Sequence, residues 1–144
     1  MSLPILSIAR RRAYPPRTSQ FTAPFWENLA AGALTTTACA CCEKLTFPPK
    51  PICPHCWSSE VRWVGLSAKG TLYAATVIHA APAVFRDEAP IPVCVVDLAE
   101  GLRIATRLLV IPDAPLPALD TAVEIVVLAY EDGPLFAARP VAAG

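Results

Sequence analysis

The spacing of apolar positions changes several times along the 144-residue chain, and each change predicts a different element. In "TAPFWENLAAGAL", Phe25 and Leu29 share one helical face with Phe21 a turn earlier, and Trp26 points beside it. Thr22 suits an N-cap, Pro24 the first turn and Gly32 the stop. A helix of roughly ten residues is expected, too short to be stable without packing. "LTTT" and "EVRWVGL" read as strands on either side of a cysteine-rich stretch. From Lys69 onward the period falls to two. "KGTLYAATVIHA" predicts a strand with Leu72, Ala74, Thr76 and Ile78 on one side. "IPVCVVDLAEG" is apolar on both sides and closes in a tight turn at Glu100-Gly101. "LRIATRLL" alternates, with Leu102, Ile104, Thr106 and Leu108 facing one way and Arg103 and Arg107 the other. "AVEIVVLAYE" and "PLFAARP" complete a set of five strands, which predicts a small closed Greek-key barrel. Both faces of "AVEIVVLAYE" are apolar, so something must cover the outer one, either the helix or another protein.

The rest of the chain divides around these elements. Residues 1–20 hold Arg10, Arg11, Arg12, Pro15 and Pro16, and are expected to be a flexible arm. Residues 21–66 hold the helix and the cysteine-rich stretch, and residues 67–144 the barrel. The segments "AAPAVFRDEAP" and "IPDAPLPALD" are long and proline-rich for hairpin loops, which points to a shaped surface.

Five of the six cysteines fall within "CACCEKLTFPPKPICPHC". The chain opens apolar first and basic after, the reverse of a secretory signal, and has no run long enough to cross a membrane. The expected compartment is therefore the cytoplasm, where thiols stay reduced and such a cluster binds metal. Cys39-x-x-Cys42 and Cys53-x-x-Cys56 form paired knuckles that can aim four thiolates at one point, a set suited to structural zinc. Cys41 is expected to be unligated, because using it would break the CxxC turn. Cys94, in an apolar strand, reads as a small core residue. Prolines 48, 49 and 51 force an extended path between the knuckles. The order helix, strand, knuckle, knuckle, strand reads as a zinc ribbon with a helical lead-in. A closed site of four cysteines has no position for substrate, so it explains folding and supplies no reaction.

Charge adds an exclusion. Twelve Lys plus Arg balance twelve Asp plus Glu, a poor match for a polyanion.

"APFWENLAAGAL", the first CxxC, "LTFPPKPICPHC", "GTLYAATVIHA", "PIPVCVVDLAEGLRIATRLL" and "GPLFAARP" together resemble the DUF35 family. The resemblance covers nearly everything after residue 20. It implies an N-terminal helix and a rubredoxin-like zinc ribbon followed by a five-stranded OB-fold barrel. It also implies a non-catalytic accessory subunit that binds acyl-CoA and works beside a thiolase-like, hydratase-like or other acyl-CoA enzyme. Lipid, sterol, aromatic-acid and polyketide metabolism are the settings it suggests. The chain departs from the family pattern at Glu43 and in "PALDTAVEIV", two places where glycine is usual. The first departure is expected to loosen a backbone turn.

A CoA site would need cations for phosphates and apolar walls. Candidates are Lys44, Lys50, Lys69, Arg86, Arg103 and Arg107, with Trp26, Phe47 and Phe85 as apolar surfaces, grouped near the ribbon–barrel junction. His79 could act as a base at the loop mouth but has no triad-like neighbour in sequence, and His55 lies between two ligands. Asp97 is expected to cap a turn or pair with Arg103; Asp87 and Glu88, and the three consecutive arginines, are expected to be solvated. Two alternatives remain: a nucleic-acid-binding ribbon and barrel, and rubredoxin-like iron for electron transfer. Balanced charge and few aromatics on the strands disfavour the first. The absence of glycine-rich turns after both knuckles disfavours the second.

Overall fold

The computed structural model describes residues 2–141; Met1 and the last three residues of the expected barrel segment, 142–144, lie outside the described residues. The chain is mostly β. In order it forms β1 (Ile5–Ile8), α1 (Ala23–Ala30), β2 (Thr35–Cys39), β3 (Leu45–Thr46), β4 (Val61–Gly65), β5 (Lys69–Ile78), a 3-10 segment (Ala83–Glu88), β6 (Ile91–Leu98), β7 (Arg103–Leu108), β8 (Ala122–Tyr130) and β9 (Gly133–Pro140). No described helix is long and apolar enough to cross a membrane.

Strands β3, β2 and β4 make a small antiparallel sheet, the ribbon. Strands β5, β6, β7, β9 and β8 close on one another, since β8 pairs with both β9 and β5. Closure removes free edges, and the interior fills with side chains. Leu72, Val96, Ile104, Ile125 and Val127 are completely or almost completely buried there. Helix α1 seals one end of this interior, with Phe25 and Leu29 in the same core. Phe25 meets Phe47 at 6.0 Å and Phe136 at 6.2 Å, edge to face, so one aromatic cluster joins helix, ribbon and barrel.

Four expectations need correction. First, the face assignment of β5 holds only to Leu72. Leu72 pairs with Val96 and Ala74 with Val95, so Tyr73 is the extra residue of a β-bulge. The bulge shifts the alternation by one position. Ala75 then packs on the core, though it also borders an outer groove lined by Ala74, Thr76 and Ile78, which are not packed on the core. Second, the amino-terminal segment is tied down. β1 lies parallel to β8, Ile5 beside Val127 through Ile8 beside Tyr130. Third, the cover over the outer face of β8 is therefore not the helix: Leu6 and Ile8 of β1, with Leu109 and Leu135, pack on Val126, Leu128 and Tyr130. Fourth, Thr22 does not cap α1 through its side chain; its hydroxyl accepts the Ser19 N–H at 2.8 Å and shapes the preceding turn.

Candidate functional site

The first knuckle grows from the end of β2. The Cys39 N–H donates to Lys44 O at 3.0 Å, and Glu43 N–H returns to Cys39 O at 3.0 Å. The second knuckle repeats the device, with Cys53 N–H on Ser58 O and Trp57 N–H on Cys53 O, both 2.9 Å. Each turn needs a left-handed residue just after its second cysteine. Glu43 (φ 64°) and Trp57 (φ 66°) supply it. The turn at Glu43 is thus fully formed without glycine, and the cost appears as backbone strain rather than as a looser turn.

The Sγ atoms of Cys39, Cys42, Cys53 and Cys56 all lie within 4.8 Å of one another. Cys39 and Cys56 are 3.5 Å apart, Cys42 and Cys53 3.6 Å. Tetrahedral zinc with bonds of about 2.3 Å would set its sulfurs roughly 3.8 Å apart, so the donor set fits. Backbone N–H groups point at the sulfurs: Cys42 and Cys41 at Cys39, His55 at Cys53, Lys44 at Cys42 and Ser58 at Cys56. The Cys42 N–H is the largest influence holding the Cys39 thiol down, to about 6. Cys56 is pushed up to about 12. The Ser58 N–H favours its thiolate but is outweighed by the Cys39 sulfur, desolvation and the two remaining sulfurs. Four crowded thiolates need a cation between them. Cys41 stands outside the cluster, exposed, with its sulfur 3.3 Å from Ser58 Oγ. Cys94 sits in the barrel wall, where burial pushes its thiol up to about 11.

The nine CoA candidates do not converge. Trp26 and Phe47 share a cleft of about 230 Å³ with Phe136, Pro48 and Arg17, a cation that sequence reasoning did not single out. Arg103 is held on the barrel exterior, its Nε 2.6 Å from Asp97 and its guanidinium 3.7 Å over the Tyr73 ring. This is the pairing expected for Asp97, and the hydrogen bond to Asp97 raises the Arg103 pKa. Arg107 and Phe85 form a separate group, 5.6 Å apart, with Arg107 bonded to Glu88 at 2.9 Å. Lys44, Lys50, Lys69 and Arg86 are exposed and make no side-chain ion pair among the described residues. His79 is exposed at the end of β5 and borders a cavity beside Arg107.

Two groups expected to be solvated are not. The Glu88 side chain is 6% exposed and is held by Arg10 at 3.0 Å as well as by Arg107. Arg12 is 13% exposed; its backbone N–H donates to Asp132 Oδ1 and its guanidinium to Asp132 O and Pro134 O. Charge and loop position suggested solvent in both cases. The parallel addition of β1 to β8 brings Arg10 and Arg12 onto the barrel, and Arg107 of β7 holds Glu88 from the other side; no local pattern announces either arrangement. Trp57 was also missed. It is 80% exposed in the second knuckle, and Ile52, just before that knuckle, is 48% exposed. A large aromatic directly after a ligand cysteine is the signal that could have found it.

Ribbon, barrel and thiolate cluster define a protein built from a rubredoxin-like zinc ribbon and an OB-fold. Two family models match in the same order: the ChsH2 rubredoxin-like zinc ribbon domain over residues 26–62, and the ChsH2 C-terminal OB-fold domain over residues 63–128. The chain belongs to the DUF35 family, to which ChsH2 is also assigned. It is 37% identical over 71 residues to a DUF35 domain-containing scaffold protein of Methanocaldococcus jannaschii, covering 49% of this chain and 50% of that one. It is 38% identical over 92 residues to a probable enoyl-CoA hydratase alpha subunit of Thermomonospora curvata, covering 62% of this chain and 28% of that protein. The chain thus spans half or less of the length of these two relatives. Among solved structures, a chain of "Ltp2-ChsH2(DUF35) aldolase" superposes with a TM-score of 0.73 at 31% identity, covering 88% of this chain and 98% of that one.

Proposed function

We propose that this chain is a non-catalytic accessory subunit of an acyl-CoA enzyme, docking on a thiolase-, aldolase- or hydratase-like partner. The observation that carries the reading is the match to 98% of a chain from the Ltp2-ChsH2(DUF35) aldolase at 31% identity. The relatives named scaffold protein and hydratase subunit agree with it. In this reading zinc on Cys39, Cys42, Cys53 and Cys56 sets the ribbon's shape and takes no part in a reaction. Two apolar features of the chain, Phe25 of the helix and the outer face of β8, are used internally and offer no docking surface. Trp57 in the second knuckle and Ile52 just before it serve as partner contacts instead, since exposed aromatics are the commonest anchors of interfaces. The Trp26–Phe47 cleft offers an apolar wall for adenine and Arg17 a charge for phosphate. The test is affinity capture from the native host with the full-length chain. Recovery of an acyl-CoA enzyme, lost when Trp57 is replaced by Ala, supports the proposal. Recovery of nucleic acid that survives physiological salt, with no enzyme, overturns it.

A further inference from the structure

A second space, which shares no lining residue with the Trp26–Phe47 cleft, borders His79 and Arg107. It is a cavity of about 650 Å³ between the end of β7, the segment before β6 and the loop after Leu108. That volume falls within the usual range of small-molecule sites, roughly 300–1,000 Å³. Its wall is aliphatic, with Val77, Ile91, Leu108, Leu109, Val110 and Leu116. The polar groups on it are few: His79, Glu88, Arg107 and Asp113.

The charges have a definite arrangement. Both oxygens of the buried Glu88 carboxylate are taken, Oε1 by Arg10 at 3.0 Å and Oε2 by Arg107 at 2.9 Å. One carboxylate therefore serves two guanidiniums. Arg107 uses only Nη2 for this bond, and its other N–H donors have no hydrogen-bond partner among the described residues. They stand at the partly exposed rim of an aliphatic space, the Arg107 side chain being 28% exposed, within reach of an acceptor on a molecule in the cavity. The Phe85 ring beside the guanidinium helps fix its plane. Asp113 is an exposed carboxylate on the far loop. It opposes a free anion more than it opposes a neutral carbonyl.

We propose that this cavity binds an acyl group, with the aliphatic chain against Val77, Ile91, Leu108 and Leu116 and the carbonyl or carboxylate oxygen on the free edge of Arg107. The proposal rests on the acyl-CoA reading and adds to it the place of the acyl chain, separate from the Trp26–Phe47 cleft. The free acid and the CoA thioester share this chemistry, and separate titrations tell them apart.

The test is calorimetric titration of the zinc-loaded full chain with CoA, decanoyl-CoA and decanoate, and with shorter acyl chains of each kind. Affinity should rise with length, up to about fourfold per methylene. Binding of decanoate assigns the free acid, and binding of decanoyl-CoA well above CoA assigns the thioester. Ala114→Trp places an indole at the exposed edge of the cavity and should abolish the length dependence. Arg107→Lys keeps a charge for Glu88 but loses the planar fork, and should weaken acyl binding about tenfold. Unchanged zinc content and melting temperature establish that both variants are folded. Equal affinity for CoA and decanoyl-CoA with no binding of decanoate, or full length dependence in the folded Ala114→Trp variant, overturns the proposal. If an acyl-CoA enzyme is still captured in that case, the accessory-subunit reading stands without this site. If acyl chains bind but no enzyme is captured, the site stands and the accessory reading falls.

Discussion

The guanidinium of Arg12 lies where a side chain at Gly133 would begin; a Cβ placed there would be 2.6 Å from Arg12 Nη2. Gly133 has φ 144°, a conformation that other residues rarely adopt. The arginine reaches this seat from the segment after β1 and donates to Asp132 O and Pro134 O on either side of it. Gly133→Ala should therefore act twice, through backbone strain and by displacing Arg12. A loss of about 1–3 kcal/mol is expected in denaturant unfolding. Because Arg12→Ala removes part of the same interaction, the double variant should lose less than the sum of the two. Strict additivity would show that the two residues act independently.

The same junction sets a pH dependence. The Arg12 N–H is the largest influence holding the Asp132 carboxyl below its ordinary range. A group whose pKa is lower in the folded state adds stability above its unfolded value, about 4 for Asp. That contribution is lost as pH falls through the lower folded value. Melting temperature should then drop on acidification below about pH 4, with a shallower drop in Asp132→Asn. Identical slopes would remove Asp132 from the account.

For the metal, the expected stoichiometry is one zinc per chain. Cys53→Ser should lose zinc and unfold the ribbon at a lower temperature. Cys41→Ser should keep both zinc content and melting temperature, because its sulfur faces Ser58 outside the cluster. Elemental analysis with thermal melts distinguishes the two. Zinc loss from Cys41→Ser would overturn the ligand assignment, and iron in place of zinc would overturn the metal.

The contrast between Cys39 and Glu88 shows what sequence could and could not reveal. The four ligands were legible because CxxC spacing is local: a tight turn aims two sulfurs at one point wherever it lies. The five barrel strands were legible from alternation and turns, and the Asp97–Arg103 pair, which faces across one tight turn, was one of the two roles expected for Asp97. The buried Glu88 was not, since its two partners lie on the amino-terminal segment and on β7, far apart in sequence. The bulge at Tyr73 was invisible for another reason. Inserting one residue changes the phase of a strand without changing its composition, so "YAATVI" reads the same with either face inward. The nine proposed CoA contacts lie apart on the fold because sequence lists cations but not their neighbours. Glu88 and Asp97 each hold one of the nine.

The left-handed Glu43 offers a gain rather than a loss. A residue with a Cβ costs about 1–2 kcal/mol there, partly offset by glycine's greater freedom when unfolded. Glu43→Gly should raise stability by roughly 0.5–1 kcal/mol with zinc content unchanged. A decrease would show that the Glu43 side chain makes a contribution beyond its backbone.

Trp57 occupies the equivalent position in the second knuckle, and there the gain and the loss should separate. Its side chain is 80% exposed, so removing it costs the isolated chain almost no buried contact. Trp57→Gly should match or exceed the wild-type melting temperature, for the same reason as Glu43→Gly. Partner binding should move the other way. An exposed indole that becomes buried on docking is typically worth about 2 kcal/mol or more, roughly thirtyfold in affinity. Surface plasmon resonance of the captured acyl-CoA enzyme against wild type, Trp57→Gly and Glu43→Gly makes the comparison. The expected pattern is stability raised in Glu43→Gly and not lowered in Trp57→Gly, with affinity lowered only in Trp57→Gly. Affinity unchanged in Trp57→Gly would place the docking surface elsewhere on the molecule. Affinity lowered equally in both variants would mean that the knuckle backbones, and not the indole, meet the partner.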